Sequence, residues 1–158
     1  MKNISRLKKI KLYSFFGVVL IVFSACDSKN SNKNDTKSTD NSHSMEKYTG
    51  KGIGPITELI IDSTIDDQLV NDGKVIFEAK CTMCHKSTNE KAIGPGLAGI
   101  YTRRTPEWIM NMILNPMEMT QKDSLAKDLL SVYMSQMADN NLTQAEARSV
   151  LEYLRTLK

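Results

Sequence analysis

The chain has 158 residues, which is enough for at most one ordinary domain. Its formal net charge of +3 is unevenly distributed. Five of the 21 basic residues lie within the first 11 residues, whereas the first acidic residue is Asp27. Without those five, 16 basic and 18 acidic residues remain, so the rest of the chain carries a net charge of −2. This balance argues against a nucleic-acid-binding protein.

The first 25 residues combine this basic start with an apolar run. The run extends from Leu12 to Phe23 and is followed by the small residues Ser24 and Ala25. This order predicts a secretory signal peptide over residues 1–25. A transmembrane anchor is the alternative, but it needs about 20 consecutive apolar residues and this run is shorter. The chain is therefore predicted to be exported.

A cysteine follows the predicted signal directly. The stretch Phe23-Ser24-Ala25-Cys26 resembles the lipobox of bacterial lipoproteins, although Phe23 stands where Leu is most usual. The resemblance implies that Cys26 is lipidated, so that the mature chain starts there and is held to a membrane by acyl chains. Two or more such chains give stable anchoring. The alternative is a free cysteine after an ordinary cleavage site.

Residues 26–48 are predicted to form a disordered tether. They are mainly Ser, Asn, Lys and Asp, and such a segment cannot bury enough apolar surface to offset the entropy of ordering. A flexible chain of this length has an r.m.s. reach of about 25 Å. It could act as a leash between partners or as a simple spacer. His43 lies within it and is interpreted as solvated. Residues 49–64 contain Gly54-Pro55, which prevents a helix, and are predicted to pack on the domain surface as an extended segment.

Residues 65–158 are predicted to form one domain, which begins with a helix. Asp66 or Asp67 is the predicted N-cap and the helix ends near Lys80. Gly73 lies inside this helix, where it costs about 1 kcal/mol relative to Ala, so another backbone is expected to pass close by. The predicted buried side consists of Leu69, Val70, Ile76 and Phe77.

The pentapeptide at 81–85, Cys81-Thr82-Met83-Cys84-His85, directly follows this helix. Two cysteines separated by two residues and followed by His are the attachment signature of c-type haem. Both thiols reach the vinyl groups of one porphyrin, and His85 then ligates the iron. A redox-active dithiol does not need the adjacent His. A structural zinc site needs four ligands, and the rest of the chain offers only Cys26 and His43.

A second helix is predicted to begin at Thr105, with Pro106 in its first turn, and to end at Asn115 before Pro116. Its predicted inward-facing residues are Trp108, Ile109, Met112 and Ile113. Two interpretations remain open for the residues around its start. Either Arg103, Arg104 and Trp108 hydrogen-bond the haem propionates, or Trp108 is a core residue and the arginines are solvated.

Two further helices are predicted. The first extends over about residues 122–132 and carries Leu125, Leu129 and Leu130. The last begins at Thr143, which forms a capping box with Glu146. It continues to about residue 157, and its apolar stripe consists of Val150, Leu151, Leu154 and Leu157.

Four features in this order resemble the class I cytochromes c. In that family Gly and Phe lie eight and four residues before the first haem Cys, as Gly73 and Phe77 do here. The last helix carries an apolar residue and an aromatic residue three apart, matched by Val150 and Tyr153. The resemblance covers residues 65–158. It implies an all-α fold in which the first and last helices cross at the Gly and one covalent haem c lies in the core.

The resemblance also implies roles for single residues around the haem. In the family, the Pro of a Gly-Pro-x-Leu-x-Gly stretch offers its carbonyl to the axial His, which places Pro95 behind His85. The sixth iron ligand in the family is a Met in a loop shortly before the last helix. Met137 and Met134 both qualify, and we favour Met137 because a loop-like run follows it. The family commonly has Met-Pro here, whereas this chain has Met137-Ala138.

With both axial positions filled, no iron site is open to a substrate, and the expected function is electron transfer rather than catalysis. The protein is expected to be a carrier on the periplasmic side of the cell envelope, bound to a membrane by its lipid and partnered by redox proteins. Residues 103–116 also resemble small cytochromes associated with nitrous oxide reductase, which suggests a respiratory reductase as partner. The alternatives are a gas sensor or peroxidase-like enzyme with an open sixth site, and a lipoprotein in which Cys81 and Cys84 form a disulfide.

Overall fold

The structure, a computed structural model, describes residues 48–158. The predicted signal peptide, Cys26 and most of the predicted tether, including His43, lie outside these residues. Within residues 48–158 all regular secondary structure is helical, which confirms the predicted all-α class. No helix in this range is long and apolar enough to cross a membrane. The helices are α1 (Asp67–Lys80), α2 (Ile100–Arg103), α3 (Pro106–Leu114), α4 (Pro116–Lys122), α5 (Ser124–Tyr133) and α6 (Gln144–Thr156).

Helices α1 and α6 pack against each other, as predicted. The Asp66 side chain caps α1 by accepting from two backbone N–H groups, and Thr143 forms the predicted capping box with Glu146 at the start of α6. A Cβ atom added at Gly73 would lie 2.0 Å from the backbone oxygen of Ser149. The two backbones therefore touch at this glycine, and no other residue leaves room for the crossing.

Helix α3 is buried on two sides. Thr105 caps it and Pro106 occupies its first position, as predicted. The predicted inward face differs in one respect, because Met112 is only partly buried whereas Met110 and Asn111 are each 1% exposed. The apolar periodicity of α3 indicates only the side of the helix that faces the hydrophobic core. The other side is covered by the segment that precedes α1.

Helices α2 and α4 were not predicted, and both are short. Asn115 and Pro116 do end α3, but Pro116 is also the first residue of α4. Proline suits a first helical position because its missing N–H would have no partner there. The next predicted helix is present as α5, which is capped by Asp123.

Residues 48–66, the described part of the chain before α1, contain no helix, but they pack more deeply than on a surface. We call residues 48–61 the N-terminal strap. Ile56 in the strap is 7% exposed and belongs to the hydrophobic core. Tyr48, predicted as the last residue of the tether, packs its ring on Trp108 with centroids 6.4 Å apart. The packed part of the chain therefore includes Tyr48.

A buried carboxylate joins α6 to the start of α1. Glu152 is fully buried, and its oxygens accept from Arg148, from Arg155 at 2.6 Å and from the backbone N–H of Asp66 at 3.1 Å. Burial raises the pKa of Glu152. The hydrogen bonds lower this pKa by more than burial raises it, so the net pKa lies below its ordinary value. The resulting stabilisation is complete above the pKa of an unfolded glutamate, about 4.3. It is lost as the pH falls through the lower folded pKa.

We expect Glu152→Gln to lower the free energy of unfolding by about 2 kcal/mol at neutral pH, because the two arginines lose their charged partner. Urea unfolding followed by circular dichroism measures the change, which should shrink as the pH is lowered below about 4. Glu78→Gln is the matched control, because its carboxylate pairs with Lys74 at the exposed surface. It should change the free energy of unfolding by about 0.3 kcal/mol, and equal losses in the two variants would contradict the role of Glu152.

Candidate cofactor site

A mostly apolar cavity of about 1190 Å³ lies between the 81–85 turn, α3, α5 and the segment that leads to α6. It is larger than the roughly 300–1,000 Å³ usual for small-molecule sites. Most of the predicted site residues line it, whereas Met134 does not and Cys26 lies outside the described residues. The predicted residues in its lining are Cys81, Cys84, His85, Pro95, Arg103, Arg104, Trp108 and Met137.

The end of α1 places the pentapeptide on the cavity wall. Cys81 is the C-cap of α1, and its carbonyl accepts from the backbone N–H groups of Cys84 at 3.1 Å and His85 at 2.8 Å. This tight turn gathers both thiols and the imidazole on one side of the cavity. Cys81 and Cys84 are not joined in a disulfide, so both thiols can react with a cofactor. Burial raises the pKa of the Cys81 thiol. Within residues 48–158 no three His, Cys, Asp or Glu side chains are placed to hold a metal ion.

A backbone carbonyl holds His85 in one tautomer. The Nδ1 atom of His85 donates to the carbonyl oxygen of Pro95 over 2.9 Å, which is the contact that the resemblance implies. Since a carbonyl only accepts, the proton must lie on Nδ1. The other nitrogen, Nε2, is then unprotonated and able to ligate a metal. A hydrogen bond of this kind also fixes the orientation of the ring.

One buried donor in the cavity wall has no partner. Arg104 is 9% exposed, and its Nε is the only buried side-chain nitrogen or oxygen in residues 48–158 without a hydrogen bond. Burial and the like charge of Arg103 lower the pKa of Arg104. An unpaired charged donor in a buried position is costly, and a carboxylate in the cavity would satisfy it. This arrangement fits a porphyrin, which carries two propionates.

The other two predicted propionate donors are already engaged. Arg103 donates from its terminal nitrogen to the carbonyl of Ala98 at 2.7 Å. The indole N–H of Trp108 donates to Asp123 over 3.1 Å, and Trp108 is 4% exposed. The geometry thus agrees with the alternative in which Trp108 is a core residue. The indole N–H of Trp108 is used inside the protein, by the carboxylate of Asp123.

The methionines differ in their access to the cavity. Met137 is partly buried and lines the cavity. Met83 in the cysteine turn and Met112 on α3 also line the cavity. Met134 is 88% exposed and ends α5 in a left-handed conformation with φ of 51°. The segment around Met137 is tied down by Gln136, whose side-chain oxygen accepts from the hydroxyl of Thr120 at 2.9 Å. This hydrogen bond joins the residue before Met137 to α4.

Asp123 supports the site from outside the cavity lining and was not predicted from the sequence. It is 5% exposed, and its oxygens accept from Trp108, from Tyr48 at 2.9 Å and from the backbone N–H of Ala126 at 2.9 Å. An acidic residue before a helix signals an N-cap, and that part was accessible in the sequence. The contacts with Trp108 and Tyr48 depend on tertiary packing and have no local signal.

Comparisons with known proteins add independent findings. The family model described as cytochrome c matches residues 70–158. Among solved structures, the chain is similar to a cytochrome c from Rhodothermus marinus, with 39% sequence identity and a TM-score of 0.63, over 65% of this chain and 87% of that chain. A comparison with curated proteins finds no match.

An engineered protein from the same organism is also similar to the chain. This engineered cytochrome c from Rhodothermus marinus is 38% identical with a TM-score of 0.62, over 65% of this chain and 88% of that chain. In complex with a carbene intermediate it is again 38% identical, with a TM-score of 0.60 and the same coverage. The similarity thus extends over most of each relative.

Proposed function

The chain belongs to the cytochrome c family and carries a covalently bound c-type haem, and from this premise we propose that it is a one-electron carrier with His/Met ligation of the iron. The observation that supports this most directly is the cavity. It collects the two thiols and the imidazole of residues 81–85 on its wall and also receives the side chain of Met137. An electron carrier needs this set of ligands and no catalytic side chains.

When bound, the haem supplies the one-electron chemistry through its iron. Cys81 and Cys84 would hold the porphyrin through thioethers, and His85 would ligate the iron through Nε2, oriented by the carbonyl of Pro95. We propose that the sulfur of Met137 would hold the iron as the second side-chain ligand. This assignment is supported by its place in the cavity lining and by the exposure of Met134.

The side chains of the cavity would keep this arrangement suited to electron transfer rather than catalysis. His85 and Met137 together would hold the iron without leaving a position for a substrate, and the soft sulfur of Met137 would favour the reduced state and raise the potential. The mostly apolar lining would disfavour water around the iron. Arg104, with its unpaired Nε, would neutralise part of the negative charge of a propionate.

We further propose that the protein works on the periplasmic side of the cell envelope, held to a membrane by a lipid on Cys26. Support comes from the basic and apolar signal pattern and from the chemistry of c-type haem attachment, which takes place outside the cytoplasm. Its partners would be a donor and an acceptor protein. A respiratory reductase such as nitrous oxide reductase is proposed as acceptor on the resemblance of residues 103–116 alone.

The purified exported protein tests this function. We expect an intact mass that exceeds the mature chain by one haem, a low-spin six-coordinate ferric spectrum with a weak near-infrared Met-to-iron band, and a reversible one-electron couple. A high-spin spectrum with rapid carbon monoxide binding to the reduced form would instead favour a gas sensor or a peroxidase-like enzyme. A colourless protein with a disulfide between Cys81 and Cys84 would overturn the proposal altogether.

A further inference from the structure

The N-terminal strap uses the polar groups of a buried side chain. Asn111 on α3 is 1% exposed, and its amide donates to the carbonyls of Lys51 at 2.9 Å and Ile56 at 2.8 Å. Its side-chain oxygen accepts from the N–H of Ile56 at 2.9 Å. A buried amide without partners is costly, so α3 carries a residue that is satisfied by the strap. The family match begins at residue 70 and leaves the strap outside it.

The strap also contacts Trp108 from the side away from the cavity. Gly52 adopts a φ of +76°, and a Cβ atom there would lie 3.2 Å from Cδ1 of Trp108 and 2.8 Å from the sulfur of Met119. Only glycine combines this backbone conformation with so little space. Together with the ring of Tyr48, this close approach fixes the indole that forms part of the cavity wall.

The hydroxyl of Tyr48 reaches the carboxylate behind the cavity. It donates to one oxygen of Asp123 at 2.9 Å, while the other oxygen accepts from Trp108 and from the backbone of Ala126. Burial, together with the hydrogen bond and the charge of Asp123, raises the pKa of Tyr48. The hydroxyl therefore stays protonated and continues to donate across the neutral pH range.

Arg104 is connected to the same group of residues. Its guanidinium lies 5.7 Å from the centroid of the Trp108 ring, and its terminal nitrogen donates to the carbonyl of Arg103 at 2.8 Å. The same carbonyl accepts the backbone N–H of Tyr48 at 3.1 Å. Tyr48 thus contacts both the Asp123 carboxylate, whose charge acts on Arg104, and the carbonyl that accepts from Arg104. Arg104 lines the cavity, and its Nε makes no hydrogen bond within residues 48–158.

We infer that Tyr48 is a positioning residue for the haem site. It acts through Asp123 to hold Arg104 and Trp108 in the cavity wall, and the strap thereby helps to set the reduction potential. This inference rests on the proposed function, because it requires a haem in the cavity. It adds that the segment leading from the tether to the domain, which precedes the residues matched by the family model, influences the redox centre.

Tyr48→Phe tests the inference while keeping the ring on Trp108. Without the hydroxyl, one oxygen of the buried Asp123 loses a donor, its negative charge is less compensated, and Arg104 is drawn toward it. Both changes favour the oxidised haem, so the equilibrium constant for reduction should fall about threefold. Potentiometric titration of the holoprotein measures this shift. Tyr101→Phe is the matched control, since it removes a tyrosine hydroxyl outside the cavity lining, and it should leave the potential unchanged.

A double-variant cycle distinguishes positioning from a general structural effect. Asp123→Asn keeps an acceptor for Trp108 but removes the charge, so it should raise the potential and make Tyr48→Phe without further effect. The inference is overturned if Tyr48→Phe shifts the potential no more than Tyr101→Phe, or if its effect persists in the Asp123→Asn background. If Tyr48→Phe does not mature, an unchanged potential in Asp123→Asn alone overturns it. A wild-type protein without a reversible one-electron couple would instead contradict the proposed function itself.

Discussion

Replacing Met137 by alanine is expected to convert the haem from low spin to high spin and to lower its reduction potential by about 0.1 V or more. The thioether is the only proposed ligand on that side of the iron, and alanine offers no substitute. Loss of a soft sulfur ligand destabilises the reduced state relative to the oxidised state. The optical spectrum of the ferric protein and a potentiometric titration measure both changes. The Met137→Ala protein should also bind carbon monoxide rapidly when reduced.

Two other methionines provide the controls for this assignment. Met134→Ala should leave the spectrum unchanged, because Met134 is 88% exposed and does not line the cavity. Met112→Ala removes a methionine that does line the cavity but is carried by α3. It should lower stability without changing the spin state. A high-spin spectrum in either control, together with a low-spin Met137→Ala protein, would show that the ligand has been assigned to the wrong residue.

The sequence was most informative where structure is determined locally. The caps of α1 and α6 were predicted from Asp66 and the Thr143–Glu146 pair, because each cap involves residues within three positions of one another. The 81–85 turn was also predictable, since the spacing of its two thiols and its His reflects the chemistry of one cofactor. Gly73 was informative for a different reason, because a glycine inside a helix costs stability and so indicates another backbone close by, here that of the distant Ser149.

The rest of the site depends on contacts between distant parts of the chain. Tyr48 and Asp123 are 75 positions apart, and Asn111 meets the strap across 55 to 60 positions. No periodicity within α3 could distinguish a buried Asn111 from a solvated one. The choice between Met134 and Met137 likewise depends on how α5 ends, in a left-handed residue that turns Met134 into solvent. Family resemblance reduced the choice to these two methionines, and the loop-like run after Met137 favoured it over Met134.

Gly73→Val is expected to lower the free energy of unfolding by about 4 kcal/mol or more, which is at the upper end for a single substitution. In an open position this change would cost little, because valine is a better helix former than glycine. Here the added Cβ would meet the backbone oxygen of Ser149 at 2.0 Å, and a backbone atom cannot move aside as a side chain does. The two helices must therefore separate. Phe77 and Val150 next to the crossing both line the cavity, so the haem environment should loosen as well.

Urea unfolding of the holoprotein measures this loss, and covalent attachment keeps the haem in the sample even when the fold is weakened. Asn71→Val is the matched control, because it introduces the same side chain on the exposed side of α1 and should cost about 0.5 kcal/mol or less. Gly73→Ala should fall between the two, since it adds the clashing atom without the branches. If Gly73→Val were as stable as Asn71→Val, the helices could not be in backbone contact, and the cavity that their crossing supports would have to be formed in another way.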